Sequence, residues 1–391
     1  MDNLSYHKAV ALLHKVSTHN GFLASAENIS NYQRVWSRDG VICGLAALAS
    51  ADEKLIATFK STLETLANNQ HEIGTIPSNV LLTEEENEVS YGGLAGRVDA
   101  VTWFIIGICQ YAYHQKKPEF VQKYQNHIEK ALQLLNAWEF NNKHLLYVPL
   151  SGNWADEYIT DGYVLYDQLL RIWALKSYNY FAKSEMISQK IQDVFQQVEA
   201  NFLPNSESEK YHERAYNEVN FQDYLPCSFS PSGYKTQFDA FANALAVLLD
   251  VGNKATQIKI LNHATKVASE TKLGLVPAFW PPVFQEDEHW NLLKNNCKYE
   301  FRNFPYEFHN GGSWAMVNGF VGLAFLSNNQ TIEATTLLEK INTANAIAGF
   351  SFYENFNTQT QVPNGVAYCA WSAAASVLLE QSLQHNFKLL F

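Results

Sequence analysis

Apolar positions along the chain fall into two patterns that take turns. In the first they form one stripe at helical spacing. Residues 184–202 place Ile187, Ile191, Val194, Phe195, Val198 and Phe202 on one face, with Gln, Lys, Asp and Glu opposite. Residues 118–138 do the same with Phe120, Tyr124, Ile128, Ala131, Leu132 and Leu135, and 5–17, 53–68, 254–269 and 331–342 read alike. This spacing predicts helices with one wet face. In the second pattern the chain is apolar nearly all round and rich in small residues, at 40–50, 99–112, 162–176, 238–252, 313–327 and 367–379. Such helices are buried, and small residues let neighbours approach closely.

About six alternations predict six helical hairpins in two concentric rings: an all-α fold, an (α/α)6 toroid, as one domain over residues 1–391. A solenoid of helical repeats is the structural alternative, disfavoured because no sequence repeat recurs at a fixed period. No convincing series of alternating strands is present. Links from an inner helix to the next outer one are short, as at 116–119 and 251–253, whereas links from outer to inner are long. The long links carry nearly all the Trp-, Gly- and carboxylate-rich patches, and in a toroid they meet at one end, above the inner helix N-termini. Loops beyond about 12–15 residues in a compact domain are usually functional.

Composition narrows the partners. The chain is 47% hydrophobic and only 17% charged, with a net charge of −11 and no Lys/Arg cluster. Disorder is excluded, and nucleic acid is not expected, because phosphate contacts need a basic patch. Nine Trp, 20 Tyr and 24 Phe, many of them in loops, supply the flat apolar faces a sugar cleft uses. Five scattered cysteines without a CxxC point to a reducing compartment. No signal-peptide pattern opens the chain and no apolar run is long enough to span a membrane, so a cytoplasmic location is expected. The sequence does not address the oligomeric state.

Each long loop delivers one group of polar residues. NYQRVWSRDG presents Trp36, Arg38 and Asp39; YGGLAGRVDAVTW presents Arg97 and Asp99; SGNWADEYITDGY presents Trp154, Asp156, Glu157 and Asp161. Gln237 and Asp239 follow, then Tyr306, Glu307, His309, Asn310 and Trp314 in NFPYEFHNGGSW, and Tyr353, Glu354 and Asn355 in SFYENFN. Taken singly these have plain readings. Asp39, Asp161 and Asp239 suit helix caps, Asp99 is either a cap or a catalytic acid, and the TEEENEV run at 83–89 is a solvated rim or a lid. No second histidine lies at metal spacing from His309, so neither a metal nor a cofactor is expected, and no GxSxG, P-loop or GxGxxG occurs. Taken together, aromatics, carboxylates and arginines around one mouth fit glycoside cleavage. That reaction needs one protonated carboxyl for the leaving oxygen and one carboxylate to act on water or carbon.

The motifs WSRDG, GLAGRVDAVTW, YEFHNGGSW and FYENFN, in that order, resemble those of (α/α)6 glycoside hydrolases. The chain is similar to neutral/alkaline invertases and to the catalytic domains of processing α-glucosidases and amylo-α-1,6-glucosidases. The resemblance runs from Trp36 to Trp371. It implies an inverting hydrolase of an α-glucosidic bond in a small sugar, such as sucrose or a short α-glucoside. Asp99 would be the general acid and Glu354 the general base, about 6.5–9.5 Å apart. Trp36, Arg38, Asp39, Arg97, Trp154, Asp156, Gln237, His309, Asn310 and Trp314 would line the sugar site. Gly40 stands where invertases have Phe, and Val98–Phe104 departs from their pattern, so sucrose does not follow from the motifs. The alternatives are a sugar epimerase or isomerase, expected to use paired histidines, and a non-catalytic sugar-binding toroid.

Overall fold

The computed structural model describes residues 3–391. The six apolar segments form an inner ring: Ser37–Ser50, Val98–His114, Leu165–Ala182, Ala240–Leu248, Ala315–Ser327 and Ala370–His385. Each packs on the next, and Ala370–His385 closes the circle against Ser37–Ser50. The striped segments form the outer ring: Asn3–Lys15, Glu53–Asn68, Gln125–Ala137, Glu185–Phe202, Lys254–Ser269 and Thr331–Asn345. This is the expected (α/α)6 toroid. The stretch 118–138 is broken by a non-helical Tyr124, which ends Pro118–Lys123 and begins Gln125–Ala137.

Small residues set the ring spacing. A β-carbon on Gly44 of the first inner helix would stand 2.0 Å from the Phe59 ring of its outer partner. Large side chains fill the axis instead: Trp103 meets Trp173 edge-on at 5.5 Å and Phe320 at 6.2 Å, and Phe241 lies 4.7 Å from Phe320. The inner helices can be apolar on every face because each face meets either a neighbour or this aromatic plug.

The two ends of the toroid differ. At the end away from the long loops, the chain's last residues turn inward. Gln110, Trp173 and Ser177 all donate to the Leu390 carbonyl, at 2.6, 2.7 and 3.3 Å, and Phe391 packs on Trp173 at 4.9 Å. The long links gather at the opposite end, where they form small sheets that hydropathy did not announce. Val35–Trp36, Asn79–Leu81 and Glu88–Ser90 make one, and the hairpin of Pro226–Ser230 and Gly233–Asp239 makes the centre of another. The sequence predicted no series of alternating strands, and it did not anticipate these short loop pairings. Most of the strands are two or three residues long, too short to show alternation. Among the described residues no helix is long and apolar enough to cross a membrane.

Candidate active site

Asp99 lies in the first turn of inner helix Val98–His114, whose N-cap is Arg97 and has no side-chain cap bond. The Asp99 carboxylate does not cap that helix. Its Oδ2 accepts from Arg38 Nη1 at 2.9 Å and from the Tyr166 hydroxyl at 3.3 Å, and Tyr166 in turn accepts from Trp103 Nε1 at 3.0 Å. Asp99 Oδ1 is buried with no partner. Arg38 stacks over Trp371 at 5.5 Å and stands 3.9 Å from Asp39. Of the acids read as caps, Asp239 does cap its helix, accepting from the Ala242 N–H at 2.9 Å. Asp161 pairs instead with Lys235, and Asp39 is the third residue of its helix, in the first turn after the N-cap Trp36.

Glu354 approaches from the other side of the chain. Tyr32 donates to its Oε1 at 2.9 Å and the Val366 N–H points to its Oε2 at 3.4 Å. Burial pushes this carboxyl up to about 7, against the pull of the Tyr32 hydroxyl and the Arg302 charge, and Asp39 adds a smaller upward push. Burial likewise raises Asp39 to about 6, with Arg38 opposing and the charges of Asp99 and Asp156 adding to the rise. Asp39 therefore feels both carboxylates, and Glu354 feels Asp39. The acids from four separate loops share one electrostatic neighbourhood.

Beneath them Asp167 is fully buried, and burial together with the Asp99 charge holds its carboxyl well above the usual range. It accepts from Asn153 Nδ2 at 2.8 Å, and Asn153 Oδ1 takes the Ala155 N–H at 3.0 Å. That bracket fixes the loop bearing Trp154 and Asp156. Arg97 donates to Asp156 at 2.8 Å, and Arg302 grips Glu157, with Nε on Oε2 at 3.2 Å.

The aromatic wall is built around His309. Its ring stacks on Trp314 at 5.0 Å and meets Trp154 edge-on at 5.1 Å. Burial drives its pKa down to about 3, helped by Arg302 and Arg38, so it is neutral, and neither ring nitrogen has a partner. Trp154 Nε1, Trp371 Nε1, Gln237 Oε1, Asp239 Oδ2 and both side-chain polar atoms of Asn355 are also buried and unpaired. Buried polar atoms are normally satisfied, so orphans gathered around one group of carboxylates mark a place built for a polar ligand or ordered water.

The sequence-read residues sort by what they touch. Trp36 donates to the Asn31 carbonyl from the rim. Asn310 is fully used by the backbone: its Oδ1 takes the Val283 N–H at 2.7 Å, and its Nδ2 reaches Val283 and Asn303 carbonyls. It holds a loop and has no free polar group for a sugar. The 83–89 run is partly tied down, since Glu88–Ser90 joins a sheet and Glu88 pairs with Arg34 at 2.7 Å. Sequence reading missed Tyr32, Tyr166, Arg302 and the Asn153–Asp167 bracket. Tyr32 and Asn153 lie inside motifs that were singled out and Arg302 borders one, which is the signal that pointed to them.

No protein-family model matches the sequence, and no curated relative does. Solved structures do resemble it. A GH63 mannosylglycerate hydrolase from Thermus thermophilus, in complex with glucose, superimposes with a TM-score of 0.67 at 13% identity, covering 96% of this chain and 99% of that one. A protein described as a glycosidase, in its wild-type form, gives 0.66 at 12% identity over 97% of this chain and 96% of that one. A rhamnosidase from Klebsiella oxytoca with rhamnose bound gives 0.65 at 13% identity, covering 99% of this chain and 65% of that one. Identities this low establish architecture alone: the chain has the (α/α)6 toroid on which these glycosidases are built.

Proposed function

We propose that the protein is an inverting glycoside hydrolase acting on a small α-glycoside, with Glu354 as the general base. The observation that carries this reading is the gathering of Asp39, Asp99, Asp156 and Glu354, with unpaired buried polar atoms, at the loop end of the toroid. Glu354 is held by a hydroxyl and a backbone N–H with no cation on it, which suits a group that must take a proton from water near neutrality. The stacked Trp314 and His309 rings, with Trp154 edge-on, give the site a rigid aromatic backing. Sucrose and short α-glucosides remain the proposed substrates, and the neighbours' ligands, glucose and rhamnose, are small sugars of the size of the glycosyl unit such a substrate presents.

Two carboxylates contend for the acid's role. In the first reading Asp99 is the acid, and its unpaired Oδ1 carries the proton. Asp99 is, however, only 1% exposed, with its Oδ2 held by Arg38 and Tyr166. That observation favours a second reading, in which Asp156, with a side chain 36% exposed, protonates the leaving group while Asp99 accepts sugar hydroxyls.

Activated leaving groups separate the two. The acid's Asn variant loses about 10²–10⁴-fold on an alkyl glycoside yet retains most activity on a dinitrophenyl glycoside, whose departure needs little protonation. A variant of the other Asp fails on both substrates. Glu354→Gln should lose both activities, and near-normal turnover by it sinks the proposal. Release of the inverted anomer, followed by NMR, tests the stereochemistry.

A further inference from the structure

Building on the glycosidase reading, we infer that the protein cleaves glycosides with an uncharged aglycone and discriminates against carboxylate aglycones such as that of glyceric acid. A carboxylate leaving water for a protein site needs a cation to meet it, and arginine, with its planar fork, is the side chain best shaped for the task. Three arginines stand around this site, and each already holds an acid. Arg38 has Asp99 at 2.9 Å, Arg97 has Asp156 at 2.8 Å, and Arg302 has both oxygens of Glu157.

Once those pairs are made, negative charge is left over. Asp39 shares Arg38 at 3.9 Å, and Glu354 is bound by Tyr32 and the Val366 N–H without a cation of its own. His309 is held neutral and contributes no charge. Above about pH 7, with Glu354 ionised and either Asp99 or Asp156 protonated as the acid, four carboxylates still face three arginines, so an aglycone carboxylate entering here meets an excess of acid over cation. The whole chain, at −11, adds to that repulsion.

The geometry also points to the side chain that would reverse the preference. Arg302 has a side chain 47% exposed, whereas Glu157, which occupies it, is 9% exposed. Removing the Glu157 charge would present a free guanidinium at the mouth.

Matched glycosides of glycerol and of glyceric acid, differing only in CH₂OH against COO⁻, test this on α-glucosyl and α-mannosyl series. The glycerol glycoside is expected to have a kcat/KM about tenfold or more above its partner in low salt, narrowing as sodium chloride screens the repulsion. Glu157→Gln should raise the glycerate glycoside about tenfold relative to the glycerol one. Arg302→Gln, which leaves Glu157 without its counter-ion, should lower the glycerate glycoside further relative to the glycerol one. Equal or faster cleavage of the glycerate glycoside by the unaltered protein overturns the inference and leaves the glycosidase reading standing. Where neither is cleaved, calorimetry compares their binding, and tighter binding of the glycerate glycoside overturns it equally. Neither turnover nor binding of any member overturns both.

Discussion

The Tyr32 hydroxyl donates to Glu354 Oε1 at 2.9 Å, joining two loops 322 residues apart. A hydroxyl donor stabilises the carboxylate over the acid, so it lowers the pH at which Glu354 becomes a base. Tyr32→Phe removes the donor without removing the ring. The acidic limb of the kcat/KM profile should move to higher pH. The loss should be about tenfold at pH 6 and should close as pH rises. A uniform loss at every pH would show that Tyr32 acts on something other than this ionisation.

Gly365 has φ +74°, and a β-carbon there would lie 2.2 Å from Glu354 Oε2. Gly365→Ala therefore strains the backbone and pushes the base aside. Activity should fall about 100-fold, as expected for displacing a reacting group by roughly 1 Å, while the thermal midpoint drops by only a few degrees. Full activity in the alanine variant would mean that Glu354 is not where the chemistry occurs.

Activity and stability should run in opposite directions with pH. Burial raises Glu354 and Asp239 to about 7 and Asp39 to about 6. In the unfolded chain these groups release their protons near pH 4. The folded state holds those protons more tightly, so the stability they contribute is complete below about pH 4 and is lost as pH rises through about 6 to 7. Carboxylates with lowered values, such as Asp52, Glu64 and Glu139, act in the opposite sense at more acid pH, and the buried neutral histidines, such as His309 and His114, oppose the fall up to about pH 6.5. The thermal midpoint should therefore fall between about pH 6.5 and pH 8 while turnover rises. Differential scanning fluorimetry checks the first, and a rising midpoint would contradict the buried, protonated state of these acids.

Asp167 acts on the site through Asn153. Asp167→Ala leaves the Asn153 amide without its acceptor and loosens the Trp154–Asp156 loop. Turnover should drop about 10-fold or more with a smaller change in KM, and Asp167→Asn, which keeps an acceptor oxygen, should recover most of it. Equal loss in both variants would assign Asp167 a different role.

The rings were legible in the sequence because a helix that meets protein on every side must be apolar on every side. Val98–His114 and Ala315–Ser327 show this without ambiguity. The ends of long loops were legible as places where polar chemistry gathers. Pairing was not. Nothing local to GRVDA says that Asp99 will meet Arg38 of another helix, or that Arg97 will turn to Asp156. Asn310 shows the converse limit. It lies within a recognisable HNGG turn, yet its amide is used up holding Val283 and Asn303 in place. A residue's position in a motif was readable, but the partner that fixes its task comes from the closed ring.

The inward turn of the last residues onto Trp173 and Gln110, below the aromatic plug of Trp103, Phe241 and Phe320, gives the toroid a floor. On the proposed function, substrate reaches a site above that floor from the loop end, and with the sugar unit held deepest the departing alcohol leaves before it. Product inhibition should record that order: the free sugar competes directly with substrate, whereas the released alcohol inhibits in a mixed or noncompetitive pattern.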